Sequence, residues 1–146
     1  AQTRVARITV SQGAVTTDAF TVTIASSGSL LTPFLVEANT AGSGSPNVLV
    51  AGESRTVLTN EGATAENYHT LPGAAAGLEF TFICQDADGI RVTAAAGDTI
   101  RLGAAGVSAA AGFVRSTTIG STVRLVALNA TEWDAVSLLG SWTIDV

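Results

Sequence analysis

The chain contains no lysine. Its seven basic residues are all arginines, set against twelve carboxylates, for a formal net charge of −5. A nucleic-acid-binding surface carries a basic surplus on one face, and this balance argues against one. Charged residues make up 13% of the chain, about half of the roughly 25% usual in a globular domain. The single cysteine, Cys84, excludes an internal disulfide. The single histidine, His69, means that any Ser-His-Asp or Cys-His apparatus must use it. No apolar run approaches the ~20 residues that span a bilayer, and no leader segment is visible at the start. The first residue is Ala1, which fits a mature protein whose initiator methionine was removed before a small residue, and equally a fragment. Aromatic residues are 5% of the total, which predicts a thin, sheet-like core.

What is present favours strands and turns. Thr, Ser, Ala, Val and Gly take the place of the missing charges. At 146 residues the chain fits one domain, or one domain with an extension, and can bury roughly 70% of its unfolded surface. Strand alternation dominates over helical period. Ala6, Ile8 and Val10 share one face, and Phe20, Val22 and Ile24 share another. Leu78, Phe80, Phe82 and Cys84 line one side of a strand whose other side carries Glu79 and Thr81. Residues 48–51 and 55–59 predict a hairpin around Gly52-Glu53. Asp86-Ala87-Asp88-Gly89 predicts a second hairpin, because Asp-Gly is a strong hairpin signal. The segment around Val123, Leu125, Val126 and Leu128 is apolar on both faces and is expected to be central or sandwiched between protomers. Three Ala-Ala-Ala-Gly blocks, at 74–77, 94–97 and 109–112, are too short to nucleate helix. They read as tight turns, either where chains approach at a symmetry axis or where small residues fill cramped loops.

Few residues carry chemistry. His69 lies between Tyr68 and Thr70, no Gly-x-Ser-x-Gly elbow supplies a nucleophile, and the reading is a surface or interface histidine. Cys84 shares the Phe80/Phe82 face and reads as core packing; nothing completes a zinc set. Asp86 and Asp88 resemble half of a calcium loop but lack its further ligands, and a turn explains them better. Asn129-Ala130-Thr131 matches a glycosylation acceptor with no secretory signal before it, and no weight is placed on it. Trp142 alternates with Ile144 and Val146 as a core residue. Trp133, between Glu132 and Asp134, reads as an interface residue, with an exposed sugar platform as the sharper alternative. Arginine without lysine reflects either compositional drift or arginines held in protein–protein contacts, where the planar guanidinium tolerates partial burial. The possible interface residues are therefore Arg4, Arg7, Arg91, Arg101, Arg124 and Trp133. No catalytic residue, metal or cofactor is expected.

The order of several short blocks adds to this. They are Asn60-Glu61-Gly62-Ala63-Thr64, Leu71-Pro72, Ala75-Ala76-Gly77-Leu78, Phe80-Thr81-Phe82, Asp86-Ala87-Asp88-Gly89-Ile90-Arg91, Ala96-Gly97-Asp98-Thr99-Ile100-Arg101, Thr118-Ile119-Gly120-Ser121, Leu128-Asn129-Ala130-Thr131-Glu132-Trp133 and Gly140-Ser141-Trp142-Thr143. Over 57–146 this order resembles a small β-rich module of tailed-bacteriophage virion proteins, found in fibres, tail parts and head-decorating proteins. Residues 1–56 carry no such resemblance and read as an N-terminal β-rich segment, a possible docking part.

The resemblance implies an all-β fold, an antiparallel β-sandwich of jelly-roll type or a β-roll, assembled as a homotrimer. It implies a non-enzymatic capsid decoration (cement) protein, made in the host cytoplasm and placed on the virion's capsid surface. Its partner would be the major capsid protein lattice, with neither nucleic acid nor membrane bound. The shortness of the chain favours this over the alternative, a tail or head fibre component that recognises a host glycan. A glycan-cleaving enzyme would instead need a carboxylate-lined groove.

Overall fold

Alternating apolar and polar residues, interrupted every few positions by Gly, Pro, Asn or Asp, give short strands and little else. The computed structural model describes residues 34–146. Arg4, Arg7 and the strands expected near 6–10 and 20–24 lie outside the described residues. Eleven strands follow in order: β1 (Val36–Ala38), β2 (Asn47–Val48), β3 (Val57–Thr59), β4 (Asn67–Thr70), β5 (Glu79–Ile83), β6 (Ile90–Thr93), β7 (Thr99–Arg101), β8 (Phe113–Ser116), β9 (Thr122–Ala127), β10 (Glu132–Leu139) and β11 (Thr143–Ile144). The helical content among the described residues is two short 3-10 turns, Ala51–Glu53 and Gly103–Ala105. The all-β expectation holds.

The strands form two sheets, ordered β1-β3-β5-β9-β10-β7 and β11-β8-β6-β4-β2. From β1 to β6 each successive strand joins the opposite sheet. The next strand in the same sheet therefore arrives one circuit later, running in the same direction. Val36, Val57 and Thr81 stand in register across three parallel strands of one sheet, as do Asn47, His69 and Val92 in the other. A circuit takes about 22 residues, near the short end of the range for coiled repeats. The later strands reverse direction: β9 runs antiparallel to β5 and β10, and β8 antiparallel to β6 and β11.

This corrects the expectation of antiparallel sheets, because both sheets are mixed. It also corrects both hairpins. Residues 48–51 and 55–59 flank a 3-10 turn whose two sides enter different sheets, and Asp86 to Gly89 is a corner between β5 in one sheet and β6 in the other. Alternation fixes which side of a strand faces inward, but it does not choose the neighbour. β1 and β2 belong to the same two sheets as the later strands, within a unit that runs Pro33–Val146.

The inward sides of the two sheets share one core. Leu58, Phe80, Phe82, Val123, Leu125, Ala127 and Trp133 come from one sheet, and His69, Ile90, Val92 and Val114 from the other. The rings of Phe82 and His69 meet between the layers, with centroids 5.4 Å apart. β9 is central, as expected, but it is buried on one side only: Val123, Leu125 and Ala127 are buried while Arg124 is exposed. At the β1–β2 end the core turns polar. Glu37 holds the register position of Leu58, and Asn47 that of His69.

The three Ala-Ala-Ala-Gly blocks are turns, and a single residue bonds to all of them, through its side chain to one and its backbone to the other two. Asp98, buried at the start of β7, accepts the Ala74 N–H through Oδ2 (2.7 Å) and the Ala111 N–H through its backbone carbonyl (2.8 Å), while its own N–H donates to Ala95 O (3.0 Å). The three turns thus meet at Asp98 within one chain.

Candidate functional site

Each residue singled out from the sequence has a definite place. The alternation of β4 turns His69 inward, where it has no exposed surface. Asn47 Nδ2 lies 3.3 Å from His69 Nδ1 and also donates to Glu37 Oε1 at 3.1 Å. Since Asn47 presents a donor, Nδ1 accepts and the ring proton sits on Nε2. Nε2 has no hydrogen-bond partner. Burial lowers the imidazole pKa from 6.5 to about 4, so His69 is neutral near pH 7. It is a core histidine, not the surface or interface residue expected. A short strand leaves no room to tell an inward polar residue from an outward one by pattern alone.

Cys84 is buried on the Phe80/Phe82 side, as expected. Its thiol donates to Asp86 O at 3.3 Å, and burial pushes its pKa up. Such a thiol is chemically inert. Asp86 and Asp88 shape a corner: Asp86 Oδ1 accepts the Asp88 N–H at 3.1 Å, and Gly89 takes a φ of 97° that favours glycine. A fully buried side chain holds this corner from beneath. Asn60 Nδ2 donates to Asp86 O (2.9 Å) and Gly89 O (3.0 Å), and its Oδ1 accepts from Gln85 N–H (2.6 Å) and Asp86 N–H (2.9 Å). In the sequence Asn60 stands only as the first residue of one short block, Asn60-Glu61-Gly62-Ala63-Thr64, and nothing beside it marks this role. Asn129 closes an Asx turn before β10, accepting the Thr131 N–H at 2.8 Å.

Trp133 departs from its expected place, while Trp142 packs against the core from a partly buried position. Trp133 has no exposed surface and packs on Phe80, with ring centroids 5.9 Å apart. It is neither an interface residue nor a sugar platform. Trp142 is only partly buried and donates its indole N–H to Leu139 O at 3.2 Å. Flanking acids placed Trp133 outside, but in a strand the flanking residues point the opposite way.

The arginines in the described residues are occupied within the chain. Arg101 Nε lies 2.7 Å from Glu132 Oε1. Arg124 and Arg55 converge on Glu79, whose carboxyl is held below the usual range chiefly by Arg124. Arg115 Nε lies 3.0 Å from Glu66. Arg91 places its guanidinium 3.4 Å from the centre of the Phe113 ring and 5.3 Å from that of Tyr68. Ion pairs this exposed add little to stability, but they lower the free charge available to a partner.

What the described surface leaves open is apolar. β7 pairs with residues 132–134 of β10, so among the described residues the rest of that strand is bonded along one edge alone. This half carries Val136, Leu138 and Leu139, exposed by 52%, 45% and 66%. A bulge between Ala135 and Ser137 shifts the register there, and no charged residue interrupts the stretch from Ala135 to Leu139. Nothing in the residues alone marks it, because it is an edge only in the folded sheet. Among the described residues no cluster of three or more His, Cys, Asp or Glu side chains could hold a metal ion, and no helix is long and apolar enough to cross a membrane. The chain matches no family model and no curated protein.

Proposed function

We propose that the protein is a structural component of a tailed-phage virion, a capsid decoration protein that works by adhesion rather than by chemistry. The observation that carries this reading is the uncovered apolar half of β10. An exposed, half-paired strand rich in Val and Leu is a surface that gains by being covered. The contact would be made by Val136, Leu138 and Leu139 more than by the arginines, which are largely engaged at home. The order of short blocks between 57 and 146 supports the phage setting. The winding of β1 to β6 is read as a β-roll, with three copies closing around an axis.

A decoration protein that binds only the assembled lattice stabilises that lattice by mass action, and a lasting contact would bury more than ~1,000 Å². The test is binding of the full chain to empty, expanded capsids of the phage that carries its gene, with intact host cells as the second arm. Saturable capsid binding at a fixed copy number per lattice site, without cell binding, is the expected result. Binding to cells and not to capsids would replace this reading with the fibre one.

A further inference from the structure

The edge of the fold formed by β1 and β2 is apolar and nearly uncharged. β1 ends one sheet and β2 ends the other, and among the described residues neither is paired along its second edge. Phe34, Leu35, Val36, Val48 and Val50, in and beside these strands, are each more than half exposed. Glu37 is the one charged residue between Phe34 and Gly52. It turns inward, where Oε1 accepts from Asn39 Nδ2 and Asn47 Nδ2, both at 3.1 Å, and ties β1 to β2 across the layers. The edge is therefore held in shape before anything docks on it. Exposed strand edges are ordinarily guarded by charge, and this one is not.

Alternation divides the patch between two faces. Glu37 turns inward in β1, so Val36 stands on the outer face of one sheet. Asn47 turns inward in β2 and Leu49 is buried, so Val48 and Val50 stand on the outer face of the other. Two unlike apolar faces on one edge suit a head-to-tail contact, in which one face of a copy meets the other face of the next. A twofold pair would cover the same face twice and leave the other bare.

We propose that this edge is the contact between copies of the chain, the Val36 face of one packing on the Val48 and Val50 face of the next around a closed ring. A second copy is the occupant that fits. Chains of net charge −5 meet here without facing like charges, and a charged partner finds nothing to pair with. At on the order of 100 Å² per side chain the five residues present about 500 Å² per copy. The uncharged loop 39–46 beside them adds a polar rim, toward the ~800 Å² per partner of a stable association. β3, β5 and β9 separate β10 from β1, so the contact leaves β10 free for the lattice. The number of copies, three, rests on the function proposed above; the contact does not.

The experiment is sedimentation equilibrium of the purified full chain, without capsids, on the parent, Val36→Glu, Val48→Arg and the double variant. The parent should assemble to one discrete size. Each single variant, at an exposed side chain, should raise the dissociation constant at least about ten-fold, with far-UV circular dichroism unchanged. The double variant sets Glu against Arg in a head-to-tail contact and should recover most of the loss. A monomer at every concentration, assembly indifferent to both single variants, or a double variant as weak as the two losses combined would each overturn the proposal. A chain that assembles in this way but binds no capsid would support the contact and overturn the proposed function.

Discussion

His69 carries its imidazole where water does not reach, and that makes it a reporter of folding. Its folded pKa is lowered from 6.5 to about 4, so between those values the unfolded chain binds a proton that the folded chain refuses. Stability is therefore full above about pH 6.5 and falls as the pH drops toward 4, by about 3 kcal/mol over the whole window. Urea midpoints measured from pH 7 to 4 should show this fall, and His69→Leu should flatten it. Asn60 and Asp98 make a different point. Each is a buried polar side chain that closes backbone groups distant in sequence. Asn60→Ala leaves two backbone N–H groups without their acceptor and should cost about 2–4 kcal/mol by denaturant titration, at roughly 1–2 kcal/mol per orphaned group. Asp98→Ala should cost about 1–3 kcal/mol by the same measure. The composition hints at neither role, because both are ordinary turn residues until the corner they hold is known.

Gly140, in the turn between β10 and β11, sits at a φ of 80°, and a Cβ placed there would stand within 3 Å of Ser121. Gly140→Ala should therefore destabilise by about 1–3 kcal/mol, from left-handed backbone and contact together. The melting temperature of the variant against the parent measures it. Inward and outward sides were readable wherever a strand alternated: Phe80 and Phe82 were placed correctly from pattern alone, and so was Cys84. The pattern failed at Trp133 and His69, where charge and polarity of the neighbours were read as exposure. It failed again at Gly52-Glu53 and at Asp88-Gly89, where a good turn was taken for a hairpin. A turn residue sets the local bend, while the sheet that receives the chain depends on which apolar face can be covered.

Residues 34–146 form a two-sheet winding with one shared core, and among them no strand pairs along the second edge of the later half of β10. If that edge is an adhesive surface, Leu139→Glu, a change at a side chain exposed by 66%, should leave the melting temperature within about 1 kcal/mol equivalent. It should also abolish capsid binding or self-association, measured by sedimentation with capsids and by light scattering alone. A variant that melts normally and still binds with parental affinity would remove β10 from the contact. The twenty-odd-residue circuit itself was invisible in the sequence. Its corners differ in length, and equivalent inward positions hold Asn47, His69 and Val92, or Leu58 and Phe82, so no motif repeats. Composition and alternation were enough to establish an all-β chain with a thin core, because both follow from side-chain chemistry within a few residues. Parallel winding, the burial of Trp133 and His69, the pairing of the arginines and the bare edge of β10 were decided only by folding, because each depends on a partner brought from elsewhere in the chain.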